Sequence, residues 1–150
     1  MKSRKITTKS AKELTIEWHN RVWNNRDEDA IYELMDDKCI VHGLDLTEPG
    51  PKGFVRFHRQ YFEIWDNIQI DIFEMIEDGN LAIGHARVTG IHKPTQNKID
   101  APFSISVKWQ DGKIIEARNV VDYVTLLTQM GALQPEIMVN AFATAKEASG

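Results

Sequence analysis

The chain has one cysteine, Cys39, in 150 residues. A lone thiol excludes an intramolecular disulfide and a CxxC metal knuckle. No apolar run approaches the length of a membrane helix, and the amino terminus lacks the apolar stretch of a secretory signal. The expectation is a soluble protein of a reducing compartment, by default the cytoplasm. Charge of either sign is scarce in excess: Lys+Arg 18 against Asp+Glu 22 gives a net charge of −4, and no basic face offers itself to nucleic acid. Lys2, Arg4, Lys5 and Lys9 at the start read as a solvated tail. The five histidines form neither an HxH nor an HExxH pair, so no metal is expected. A nucleophile elbow, a phosphate-binding glycine loop and a dinucleotide fingerprint are also absent. Any chemistry here would be proton transfer without a cofactor.

What is present is a definite order of elements. Hydrophobic residues make up 42%, enough for one buried core in a chain of this length, and no repeat or low-complexity linker divides it. Leu14, Trp18 and Val22 recur every fourth residue, predicting a helix from Ser10 to about Asn24, with Ser10 and Glu13 as a capping box. A short helix follows from Asp27, with Ile31, Leu34 and Met35 apolar. Lys38 to Val41 reads as extended, ending at His42. The glycines and prolines from Gly43 to Gly53 demand a loop, and a third helix runs from about Pro51 to Ile64 with an aromatic stripe of Phe54, Phe57, Tyr61 and Phe62.

Beyond Trp65 the period becomes two. Ile68, Ile70 and Ile72 yield to Phe73 and Met75, a change of parity that predicts a bulge. Asp78-Gly79 and Asp111-Gly112 are turn signals. Strands are predicted from Leu81 to about Ile91, through Phe103, Ile105, Val107 and Trp109, and from Lys113 to Val121. Helices followed by a meander of long strands define an α+β domain, with helices capping one face of a curved sheet and a pocket between. The core is expected over about residues 10–133, with 134–150 as an added helix carrying Ile137, Met138, Phe142 and Ala145 on one side.

Polar residues that interrupt this pattern are the site candidates. In the last strand Ile115, Ala117, Asn119 and Val121 share one face, while Ile114, Glu116, Arg118 and Val120 share the other. The charges favour water, which turns Asn119 inward, to be satisfied by a ligand, a water or neighbouring backbone. Asp122 is either the N-cap of a helix from Tyr123 to Met130 or a general base at a strand end. His42 is a candidate acid/base at neutral pH or a loop histidine bonded to backbone. His92, at another strand end, is placed at the pocket mouth, and Trp18, Trp65, Ile105 and Val107 in its lining. His19, His58 and His85 read as structural or exposed.

These segments together resemble the SnoaL-like polyketide cyclase and ester cyclase family, within the superfamily of nuclear transport factor 2 and ketosteroid isomerase. The resemblance spans roughly Leu14 to Leu133. It is carried by Asn25-Arg26-Asp27, Val41-His42, the Pro49 to Phe54 segment, Val88 to His92, Asp111 to Glu116, and Asn119 to Asp122 followed by Leu126 to Leu133. It implies a conical, strongly bent sheet around a helix, a deep cavity, and pairing of two copies through the sheet. It also implies enolate chemistry on a small carbonyl compound, with His42, Asn119 and Asp122 at the matching catalytic positions and His92 nearby. Arg118 stands where the family usually has tryptophan, and the connection after His92 lacks a glycine- and proline-rich segment, so the family's substrate is not carried over. A non-catalytic binding or dimerisation module of the same fold is the alternative.

Overall fold

The computed structural model describes residues 8–149, with side chains described for residues 8–143. The solvated tail expected at Lys2, Arg4 and Lys5 lies outside the described residues, whereas Lys9 pairs with Glu17. The elements run α1 (Ala11–His19), a π-helical turn (Asn20–Asn24), α2 (Glu28–Leu34), β1 (Met35–His42) and α3 (Gly50–Ile64). There follow β2 (Trp65–Asp78), β3 (Leu81–His92), β4 (Asn97–Gln110), β5 (Lys113–Val121), α4 (Tyr123–Gln129) and α5 (Ile137–Ser149). The sheet order is β1-β5-β4-β3-β2. Four strands form the antiparallel meander read from the sequence, and β1 joins its edge parallel to β5, making the sheet mixed.

Local chemistry explains most boundaries. Ser10 caps α1 by accepting from the Glu13 N–H at 3.1 Å, and Asp27 caps α2 through the Ala30 N–H. The first helix does not run straight to Asn24 as the periodicity predicts: after His19 it widens, the Asn25 N–H donating to Asn20 O. The wide turn carries Asn24 to β2, where its side chain accepts from the Ile70 N–H at 2.7 Å and donates to Ile70 O at 3.0 Å. Two bonds to one residue's backbone tether the helix end to the strand as an extra ladder rung would. Between Asp111 and Gly112 both φ angles are positive, as a two-residue hairpin turn on right-twisted strands requires.

Two of the sheet's register shifts bear on its faces. Register shifts between Ile72 and Glu74 where Phe73 is inserted, as the change of parity predicts. A second bulge was not legible. Lys108 pairs with Glu116 but Trp109 pairs with Ile114, so β5 spends an extra residue opposite β4. Ile114 is thereby turned inward and is 2% exposed, against the outward position that simple alternation assigns it. Alternation is unbroken in the middle of β4, where Ile99, Ala101, Phe103, Ile105, Val107 and Trp109 are all buried. These residues pack against Leu14, Trp18, Val22 and the aromatic side of α3 in one continuous core. The side-chain ends of Ile137, Met138, Val139 and Phe142 on α5 are exposed.

Candidate functional site

The concave face of the sheet and helices α1 and α3 enclose a cavity of about 80 Å³. The helices contribute Trp18, Trp23, Phe54, Phe57 and Tyr61. Sheet residues Ile70, Val88, Ile105, Val107 and Ala117 form the opposite wall, and Trp65 closes one end. Ring packing fixes these walls: Trp18 meets Phe54 edge to face at 5.1 Å, and Tyr61 meets Trp65 in the same manner at 4.7 Å. Aromatic pairs of this geometry have defined orientations and little rotamer freedom, so the chamber is preformed.

Few polar groups interrupt the apolar wall. The indole N–H of Trp65 is buried and has no hydrogen-bond partner among the described residues. Asn119 reaches the wall from β5, its amide donating to His42 O at 3.3 Å; no described donor meets its Oδ1. Tyr61 brings a phenol whose ionisation is pushed up to about 12, by burial first and by Tyr123 second.

His19 is the group that sequence periodicity missed. It lines the cavity, is 5% exposed, and donates through Nδ1–H to Thr15 O at 2.8 Å. That bond fixes the neutral tautomer and leaves Nε2 as an acceptor. Burial drives its pKa down to about 4, the Thr15 bond opposing. Thr15 is itself held, its Oγ1 accepting from the Trp109 indole N–H at 2.9 Å and donating to Ala11 O at 2.8 Å. The histidine is therefore positioned from two turns of α1 and from β4.

The other candidate residues occupy different places. Trp18, Trp65, Ile105, Val107 and Asn119 come together in the cavity. His42 does not line it: Val41 and Ala117, paired in the sheet, face inward, and His42 turns to the outer face, 3.5 Å from Glu116. Asp122 is the cap of α4, accepting from the Thr125 N–H at 3.0 Å and the Thr125 hydroxyl at 2.7 Å. Those two bonds, the hydroxyl's first, hold its exposed carboxyl below the usual range. His92, paired across the sheet with Trp65, is bonded to Thr95 Oγ1 at 2.8 Å in the following turn and lies off the cavity. Among the described residues no carboxylate lines the chamber, and no group of His, Cys, Asp and Glu is disposed to hold a metal.

Against the cavity lies an open groove of about 600 Å³, sharing Leu44, Phe57 and Tyr61 with it and adding Gly43, Asp45, Gln60, Ile64 and Tyr123. Tyr123 donates to Gly43 O at 2.8 Å, which with the Asn119 bond pins the root of the loop carrying Leu44.

A curved sheet closed by helices over a preformed apolar chamber, with a handful of polar groups, defines a small α+β domain of the pocket-bearing kind. The SnoaL-like polyketide cyclase model matches residues 13–130, and the chain belongs to that family. No curated protein matches the sequence. Among solved structures, TsrD from Streptomyces laurentii superposes with a TM-score of 0.75 at 14% identity, over 85% of this chain and 99% of that one. IdmH from Streptomyces antibioticus, a candidate polyketide cyclase, gives 0.72 at 17% identity, over 82% and 99%. A Catenulispora acidiphila protein with a ketosteroid isomerase-like fold gives 0.71 at 15%, over 81% and 94%. At these identities the likeness is one of fold.

Proposed function

We propose that the protein binds a small, mostly apolar organic molecule in the chamber, through one carbonyl or hydroxyl group. The observation that carries this is the partnerless Trp65 N–H, buried in an otherwise apolar wall. Buried donors in native proteins almost always have a partner, and an acceptor on a ligand supplies one. His19 Nε2 offers the complementary acceptor for a hydroxyl. The chamber is smaller than the roughly 150 Å³ cavity that seats benzene, so the buried part of the ligand is a short chain or small ring, and a fused-ring skeleton would stay outside. Titration with 2-pentanone, followed by calorimetry, should give saturable binding, weakened about fivefold to tenfold in Trp65→Phe for one lost hydrogen bond. If 2-pentanone, small lactones and short alcohols all fail to bind at millimolar concentration, the reading is wrong.

A cofactor-independent acid/base reaction on a small carbonyl compound is the second reading, supported by the fixed tautomer of His19. A base of pKa about 4 is fully unprotonated at neutral pH yet well below the strength suited to proton abstraction. With no carboxylate in the wall and with His42 and Asp122 elsewhere, binding is the better-supported role.

The same proposal includes a homodimer formed through the outer face of the sheet. Outward positions across adjacent strands align Ile76 with Ile83, and Phe73 stacks on His85. Phe73, Ile76, Ile83 and Val120 are all more than two-fifths exposed, an apolar patch that a second copy would cover. Light scattering should report twice the chain mass at micromolar concentration, and a shift to monomer for Val120→Glu; a monomeric wild type rejects the dimer. No helix among the described residues is long and apolar enough to cross a membrane. The lone thiol of Cys39 is buried, and burial first, then Asp36 and Glu116, push its pKa up to about 12.

A further inference from the structure

The chamber and the groove share lining residues, and their polar character differs. Leu44, Phe57 and Tyr61 belong to both and stand between an inner space too small for a fused-ring skeleton and an outer space several times larger. On the groove side lie Asp45, Gln60 and Tyr123. Asp45 is the one formal charge on either lining, and neither an ion pair nor a hydrogen bond engages it among the described residues. Its carboxylate stands close enough to Tyr123 to oppose, after burial, the ionisation of that phenol. Two tyrosine rings, Tyr61 and Tyr123, line the same groove.

An unpaired carboxylate near the Tyr123 ring recognises a cation, by Coulomb attraction and by cation–π attraction together. The inner chamber has the opposite preference: apolar walls, and an imidazole kept neutral by burial. We propose that cavity and groove form one site for an elongated primary amine whose far end carries a carbonyl or hydroxyl, that end in the chamber at Trp65 and His19, its middle passing Leu44, Phe57 and Tyr61, and its ammonium at Asp45. This rests on the small-molecule reading of the cavity and adds to it the charge and the shape of the ligand. A carboxylate of the same length places its charge against Asp45 and is rejected.

Three six-carbon probes with one hydroxyl each separate these claims: 6-amino-1-hexanol, 1-hexanol and 6-hydroxyhexanoate, titrated into the full chain at pH 7.5 and followed by tryptophan emission and calorimetry. Trp18, Trp23 and Trp65 line the chamber, so occupancy is reported from within. 6-Amino-1-hexanol is expected to bind about fivefold to tenfold more tightly than 1-hexanol, as one exposed charge pair with a ring contact allows, and 6-hydroxyhexanoate most weakly. The preference for the amine should collapse in Asp45→Asn, an exposed loop position, and shrink as salt is raised. Equal affinity for all three probes, or an amine preference that survives Asp45→Asn, overturns the proposal while the cavity reading stands. Failure of all three, the alcohol included, overturns both.

Discussion

Gly43→Ala is expected to lower stability by about 3 kcal/mol or more, and the melting temperature by roughly 6–12 °C for a chain of this length. Gly43 has φ +83°, and a Cβ built there lies 1.8 Å from the Asn119 carbonyl oxygen. A left-handed backbone costs an alanine roughly 1–2 kcal/mol; the contact costs more, because the atom it meets is backbone in a paired strand. β1 and the following loop must move off β5. That movement also stretches the two bonds at the loop's root, Asn119 to His42 O and Tyr123 to Gly43 O. Thermal unfolding checks the first effect. The affinity for 2-pentanone checks the second, and both should fall together. A fully stable Gly43→Ala variant would show that the loop and strand are not in contact in solution.

Acidification from pH 7 to 4.5 is expected to cost roughly 2–3 kcal/mol through His19 alone. The imidazole has a folded-state value of about 4, lowered by burial from an ordinary 6.5. A histidine depressed in the folded state binds its proton more readily when unfolded. Its contribution is therefore complete above pH 6.5 and is lost as the pH falls toward 4. His58 acts in the same direction: burial lowers it while its bond to Val22 O, at 2.7 Å, opposes. Urea unfolding of wild type and His19→Gln at the two pH values isolates the effect, since carboxylate contributions are common to both. The variant should lose less stability on acidification by about the stated amount. Parallel losses would mean that the His19 ring is hydrated and outside the chamber.

Much of the fold was legible because its signals are local. A turn such as Asp111-Gly112 and alternation such as that of Phe103, Ile105, Val107 and Trp109 depend on neighbours in sequence. So do the caps at Ser10 and Asp122, the latter written in the sequence as one of two possible roles. Register is not local. The bulge that turns Ile114 inward exists only in the pairing of β5 with β4, and the parallel addition of β1 depends on where α3 returns the chain. His42 illustrates the cost of a short predicted strand. Over Lys38 to Val41 the faces are undecided, whereas the full β1 buries Cys39 and puts Val41 against the chamber, leaving His42 outward. His19 was hidden by small neighbours. It sits about 100° round the helix from Trp18, on a side whose other buried members are Ala11 and Thr15, residues that leave no apolar stripe.

The extra residue in β5 joins two alternations of opposite parity in one strand. Between the turn and Glu116, Ile114 pairs with Trp109 and reaches the chamber wall; beyond it, Ala117, Asn119 and Val121 line the same chamber, and Asn119 also holds the loop root at His42 O. The irregularity thus lets Ile114 and Ala117, three residues apart, both face the same interior, which unbroken alternation would forbid.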